Sequence, residues 1–351
     1  MMNFLSEKKT PVEFISDLDL GDFEATWAGE YPPAQGVALG AEDGRILLAA
    51  KDGNIVGRAK AESDEAINGL AFLPNWMGIS TRAEICFVDV TPGQEPTFVP
   101  SPYGAHGVIV GPDEQFIAPL GTNGLLFFKP QAGEELPLTI SRPRARNLYI
   151  YRVISMIGSS GQRVVAAATR RDGIAAMPFD LPERGLHTLT FDGLDAIDLC
   201  QLGPSSLSVA ALGKDGTIMM CRDVIEDTMQ KHASMTIRFA DIKGTAYRIL
   251  NAHGALIVAT SRAVYFLGGM LENFSQGITE PVTIQEFPIK AIDANIVNEH
   301  WLIIVTSRGV LKLDLRKLRW DAQHDNGHQR QVMATSLSPA FMGQVEPMVA
   351  A

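Results

Sequence analysis

The chain has 351 residues, 46% of them hydrophobic, with 30 Lys and Arg against 40 Asp and Glu for a net charge of −10. That apolar share suffices for a sizeable core, and the acidic balance argues against a general nucleic-acid coat or an anionic membrane as the main partner. Three scattered cysteines, Cys86, Cys200 and Cys221, with no CxxC pair, exclude a disulfide framework and fit a reducing compartment.

The N-terminus, MMNFLSEKKTPVEF, is charged within ten residues and lacks the apolar run of a secretory signal. No apolar stretch approaches the roughly 18 residues needed to span a bilayer. The reading is a cytoplasmic, soluble, monomeric chain with no membrane partner.

After a short arm over residues 1–10, PVEFISDL (Pro11 to Leu18) reads as a strand. One phrase then recurs: apolar run, tight turn, apolar run. It appears as VALGAEDGRILL (Val37 to Leu48), IAPLGTNGLLFF (Ile117 to Phe128), AAATRRDGIAAM (Ala166 to Met177) and SVAALGKDGTIMMC (Ser208 to Cys221). Asn-Gly and Asp-Gly are hairpin turns, because glycine has no Cβ and asparagine or aspartate tolerates positive φ. GISTRAEICFV (Gly78 to Val88), IVATSRAVYFL (Ile257 to Leu267) and IIVTSRGVLKL (Ile303 to Leu313) carry a second turn, Ser/Thr-Arg-Ala/Gly.

The turn anchors Gly44, Ala83, Gly124, Gly173, Gly216, Ala263 and Gly309 are spaced 39 to 49 residues apart. An inner strand precedes each hairpin, from FEATWAG (Phe23 to Gly29) to IKAIDAN (Ile289 to Asn295), and an outer strand follows six of them, from IVGRAKA to PVTIQEF. A period of 40–50 residues built from short strands predicts propeller blades. The expected fold is an all-β, seven-bladed β-propeller of four-stranded antiparallel blades over residues 11–315. PVEFISDL resembles PVTIQEF, so the N-terminal strand is expected to close the last blade. Two tandem β-sandwiches are the alternative, but sandwiches need no single period along the whole chain.

The period and the hairpin phrase resemble the broad WD40-like class of propellers. The match is divergent: Gly327-His328 and Trp320-Asp321, the nearest equivalents of that class's signature dipeptides, both fall outside the blades. The resemblance implies a propeller, and at class level a platform for protein partners.

Chemistry is sparse. There is no GxSxG, Walker loop, HExxH or GxGxxG. No catalytic residue, cofactor or metal ligand is assigned, and the chain reads as non-enzymatic. Asp195, Asp198 and Asp293 lie near inner strands, where a metal-dependent propeller hydrolase or lactonase would gather carboxylates. They are read here as strand-end acids facing solvent.

Two basic features stand out. From Arg142 to Arg171 the chain holds seven Arg and no acid. Arg142, Arg144, Arg146, Arg152, Arg170 and Arg171, with Tyr149 and Tyr151 among them, suit an acidic protein partner, or nucleic acid as a lesser alternative, or a merely solvated loop. The turns between second and third strands all emerge on one face of a propeller, and here they carry Arg82, Arg170, Arg171, Lys214, Arg262 and Arg308. That face is expected to be net basic and to steer an acidic partner. Cys221 to Met235 lengthens the fifth blade and reads as a short amphipathic helix. The tail over 316–351, with Trp320 as a candidate anchor, is either disordered or docks. The resulting reading is a protein-interaction scaffold, a subunit or adaptor of a larger assembly.

Overall fold

The computed structural model describes residues 12–13 and 23–315 apart from 52–53, 62, 91–97, 102–103, 131–137, 142–147, 182–184, 190–193, 222–223, 225–233, 238–242, 253–254, 268–281, 287–289 and 307–308. The described strands form seven antiparallel sheets. Each runs outward in chain order from an inner strand: Ala25–Tyr31, Gly69–Leu73, Ile109–Gly111, Tyr149–Ile157, Ala196–Gln201, Ala246–Ala252 and Ala291–Val297. This is a β-propeller, and the sheets are numbered here as blades 1 to 7. Blade 6 shows the pattern, with Ala246–Ala252, Ala255–Thr260, Ala263–Leu267 and Val282–Glu286 laid side by side.

The blades pack face to face, so their middle strands are buried on both sides. Gly36–Ala41, Gly173–Pro178 and Val209–Gly213 are buried at every position. This explains why these segments read as continuous apolar runs rather than alternating ones. Seven hydrophobic clusters fill the gaps between successive blades. One joins Ile46, Ile67 and Ile79 of blades 1 and 2; another joins Ala28, Leu39, Ile303 and Val305 of blades 1 and 7.

The two turn types have distinct local causes. Gly44 and Gly216 sit at φ 81° and 82°, and a Cβ on Gly44 would lie 2.5 Å from the Ser63 carbonyl oxygen. Asp43 and Asp215 accept from the amides of Arg45 and Thr217 two residues on. In the second type a threonine does this work: Thr81 Oγ1 accepts from Ala83 and Glu84 N–H, and Thr260 Oγ1 from Arg262 and Ala263 N–H. The hydroxyl braces the turn, so alanine suffices where glycine stands elsewhere.

Ring closure differs from the expectation. Val12–Glu13 does not complete blade 7; it pairs antiparallel with Lys60 and Ala61, adding a fifth strand to the outer edge of blade 1. The nine residues 14–22 can span about 30 Å, ample to cross one blade whose four strands measure about 14 Å. The outer edge of blade 1 is therefore within reach, and resemblance to another outer strand carries no information about which blade the strand joins. The ring closes instead through the apolar cluster between blades 7 and 1 and through side-chain bonds across it. The Ala28 amide donates to Asp293 Oδ2 at 3.3 Å, Asn295 Nδ2 to the Ala28 carbonyl at 3.2 Å, and Asn298 Nδ2 to the Gln35 carbonyl at 2.6 Å. Among the described residues blade 7 has three strands. The segment Cys221 to Met235 lies largely, and the tail 316–351 wholly, outside the described residues.

Candidate functional site

The inner strands of blades 1, 4, 5, 6 and 7 share a local irregularity. The pairing register slips between Ala25 and Trp27, Ile150 and Arg152, Ala196 and Asp198, Ala246 and Arg248, and Ala291 and Asp293. Such a bulge re-aims the next side chain. In blades 4 to 7 that side chain is Arg152, Asp198, Arg248 and Asp293, an alternating string of charge along the inner rim.

Arg248 is its centre. Its Nε donates to Asp293 Oδ1 at 2.6 Å, and its Nη1 lies 3.6 Å from Asp198 Oδ1, which Arg152 Nε approaches to 3.8 Å. The far oxygens of both acids cap backbone amides of the following blade: Ile249 N–H donates to Asp198 Oδ2 at 2.9 Å and Ala28 N–H to Asp293 Oδ2. Arg248 is 6% exposed, and Asp198 and Asp293 are 5% each. Burial pushes the Asp198 carboxyl well above the usual range, the Ile249 and Leu199 amides pull it back, and the charge of Asp293 pushes it up again. The solvent-facing reading of Asp198 and Asp293 is thus overturned. A bulge turns them inward, where an arginine and a backbone amide of the neighbouring inner strand satisfy them, so their oxygens are engaged by guanidinium and amide donors.

Above this string, at the end of the ring that carries the second-to-third-strand turns, aromatic rings gather. Lys214 N–H donates to the Asp195 carbonyl and Ser261 N–H to the Thr245 carbonyl, so these turns lie beside the starts of the inner strands. At that level Tyr149 Oη and His106 Nε2 are 2.5 Å apart. Ring centroids of Tyr149 and Tyr151 lie 5.0 Å apart, and those of His106 lie 5.2 Å from Tyr149 and 6.1 Å from Tyr151. Gly121, at φ 59°, permits this approach: a Cβ there would stand 3.2 Å from the Tyr149 ring. Burial lowers the His106 pKa below its ordinary value, and the nearby positive charge of Arg82 lowers it further. Burial and the neighbouring Asp195 raise that of Tyr151, against the pull of Arg170.

The charges on the two ends of the ring are arranged differently. Arg82, Arg170, Arg171, Lys214 and Arg262 all sit exposed on the turn face, and none forms an ion pair with another described residue. On the opposite face Arg163 is neutralised by Asp113 at 2.6 Å and by Asp180, and it stacks on Phe179 at 5.1 Å. The turn face is not uniformly basic, because Glu24, Glu42 and Glu65 are exposed on its blade 1 side and Asp215 is exposed beside Lys214 on blade 5. Its cations lie over blades 2 and 4 to 6.

No protein-family model matches the chain, and no curated protein matches its sequence. Solved structures do. The beta-propeller domain of Cps50 (Swd1) from Myceliophteria thermophila superposes with a TM-score of 0.62 at 13% identity, covering 86% of this chain and 99% of that one. The WD40 beta propeller domain of Doa1 gives 0.58 at 14% identity, over 86% and 95% of the two chains. The fold is that of a divergent WD40-like β-propeller.

On this propeller the arginine run from Arg142 to Arg171 divides among three places. Arg152 turns inward to Asp198, Arg163 lies on the face opposite the turns, and Arg170 and Arg171 sit on the turn face. The run is therefore no continuous basic strip among its described members. Tyr149 and Tyr151 come together with Arg82 and Arg170, although 67 residues separate Arg82 from Tyr149. Arg142, Arg144, Arg146, Arg308 and Trp320 lie outside the described residues. Arg248 and His106 were not among the expected site residues. The recurring tripeptide at each inner-strand start, Ile-Tyr-Arg (150–152), Ala-Ile-Asp (196–198), Ala-Tyr-Arg (246–248) and Ala-Ile-Asp (291–293), is the signal that points to the charge string. Among the described residues no three His, Cys, Asp or Glu side chains gather as a metal site requires, and no helix is long and apolar enough to cross a membrane.

Proposed function

We propose that this propeller is a non-enzymatic interaction scaffold whose turn face, over blades 4 to 6, receives the acidic surface of a protein partner. One observation carries the reading: Arg82, Arg170, Arg171, Lys214 and Arg262 are exposed on one face without ion pairs, while Arg163 on the other face is held by two aspartates. Unpaired cations spread over several blades give a field rather than a pocket, and such a field steers encounter and sets orientation. The exposed glutamates of the blade 1 side give the face a direction, so a docked acidic surface has one favourable rotation. The rings of Tyr149, Tyr151 and His106 supply the apolar, low-entropy contact area that anchors an interface. Fold-level analogy agrees, since propellers present faces to partners, though fold alone does not assign function. The scaffold acts as a monomeric propeller in the cytoplasm, where its buried thiols stay reduced.

The test is a nuclease-treated pull-down from native extract with the wild-type chain beside Arg170→Glu/Arg171→Glu/Arg262→Glu. Stoichiometric proteins retained by the wild type and reduced at least tenfold by the triple variant support the reading. Partners retained equally by both, or no partner at all, overturn it.

A further inference from the structure

Arg152 belongs to the inner strand of blade 4, yet its side chain meets both neighbouring blades. Its Nε lies 3.8 Å from Asp198 Oδ1 of blade 5. Its Nη1 lies against Gly107, just ahead of the inner strand of blade 3, where a Cβ would stand 3.3 Å from it. Gly107 sits at φ 147°, a backbone that any side chain would strain, and its bare Cα leaves the guanidinium room. Blade 4 packs between blades 3 and 5, so a group that touches both of them lies inside the ring, in the axial channel, rather than in the gap between two blades.

Arg152 also differs from the other members of the charge string. Its side chain is 26% exposed, against 8% for Arg248 and 7% for each aspartate. Its approach to Asp198 is too long for a hydrogen bond, and it makes no other ion pair or hydrogen bond with a described residue. Asp198 is committed elsewhere, with Oδ2 on the Ile249 amide at 2.9 Å and Oδ1 facing Arg248 Nη1 at 3.6 Å. Arg152 therefore presents a solvated guanidinium fork whose donors are unfilled among the described residues. Such a fork binds carboxylate or phosphate. Charge decides between them: Arg152 and Arg248 formally offset Asp198 and Asp293, and a phosphate dianion would meet twice the repulsion from the two aspartates that a carboxylate meets. Arg152 stands nearer the Tyr149 end of its strand than the Ile157 end, so the turn face is the closer mouth, about 10 Å away along the strand. The aromatic cluster flanks that mouth. His106 precedes Gly107, Tyr151 precedes Arg152, and their ring centroids lie 6.1 Å apart. A depth of about 10 Å calls for a projecting loop rather than a flat acidic surface.

We propose that Arg152 is the floor of a subsite in the axial channel for one carboxylate side chain, carried on a projecting loop of the protein partner and entering from the turn face past Tyr149, Tyr151 and His106. The exposed Arg82 and Arg170 draw the loop in, and the fork fixes one of its acids. That a partner supplies the carboxylate rests on the reading above; the chemistry of the subsite does not.

The test uses the full chain carrying ¹⁵N-arginine and ¹³C-tyrosine, with Nα-acetyl-glutamate N-methylamide, its neutral counterpart Nα-acetyl-glutamine N-methylamide, and inorganic phosphate as probes. The glutamate probe is expected to shift the Arg152 Nε–H and Tyr151 ring resonances with a millimolar midpoint, the glutamine probe at least about fivefold more weakly. Arg152→Gln should weaken the tyrosine response at least about fivefold, and Arg163→Gln, on the opposite face, should leave it in place. Thermal unfolding checks that Arg152→Gln is folded; if it is not, Arg152→Lys, which keeps the charge beside Asp198 but not the fork, is read in its place with the same loss expected. Equal responses to the glutamate and glutamine probes, an unchanged tyrosine response in the Arg152 variant, or phosphate acting at lower concentration than the glutamate probe would overturn the subsite. Should the pull-down depend on Arg170, Arg171 and Arg262 while the glutamate probe fails, the partner reading stands and this one falls. Should the probe bind at Arg152 while the extract yields no partner, the subsite stands and the partner reading falls.

Discussion

Replacing Arg248 with methionine removes the one guanidinium that touches both Asp198 and Asp293, at 3.6 and 2.6 Å. All three side chains are at most 8% exposed. The methionine fills most of the volume, so packing changes little and the loss is electrostatic. Asp293 then loses its counter-charge and Asp198 keeps only Arg152 at 3.8 Å, a situation that costs about 3–5 kcal/mol. With an unfolding entropy of about 2.1 cal/mol/K per residue over roughly 300 folded residues, 1 kcal/mol moves Tm by about 1.6 °C, so Tm should fall by about 5–8 °C. Differential scanning calorimetry at pH 7.5 reads this directly. Because the pair is buried, the deficit should persist at 0.5 M salt. It should shrink as pH falls, since burial raises the Asp198 carboxyl and its protonation removes one of the two charges. The double variant Arg248→Met/Asp293→Leu should lose less than the two single variants together. A fall below about 2 °C, or strict additivity, would mean that the string is not a coupled buried network.

Three further expectations follow from the same geometry. Deleting residues 1–22 takes away the Val12–Glu13 strand added to the outer edge of blade 1, so Tm should change by less than about 2 °C; a collapse of the fold would show that the N-terminal strand closes the ring after all. Arg163→Ala breaks two ion pairs whose acids are half exposed, and should cost under about 1 kcal/mol, read as a Tm shift near 1–2 °C that salt abolishes. His106 holds its proton less tightly folded than unfolded, so its contribution is complete above the ordinary histidine value of 6.5 and is lost as pH falls through the lower folded value. Wild-type Tm should accordingly drop more than that of His106→Gln between pH 7.5 and 5, and an NMR titration midpoint for His106 above 6.5 would sink the idea.

The propeller was legible because its signals are local. Positive φ at Gly44 or Gly216 is a property of the turn residue itself, and middle strands buried on both sides write themselves as unbroken apolar runs. Repetition of those local signals at one period identifies the fold without any knowledge of contacts. The same locality makes the exposed turn cations Arg82, Arg170, Arg171, Lys214 and Arg262 readable in advance.

Only the tertiary structure decided which residues meet. Arg152, Asp198, Arg248 and Asp293 stand about one blade apart in sequence and look like unrelated charges until a bulge in each inner strand turns them to the same rim. Arg163 and Arg170 are seven residues apart yet lie on opposite faces, because an eight-residue strand, Arg163–Arg170, carries the chain from one side of the disc to the other. The edge joined by Val12–Glu13 is likewise a tertiary outcome, since its own residues resemble an outer strand of another blade. Local conformation is fixed by neighbours along the chain, whereas burial of a charge depends on what the rest of the ring places opposite it.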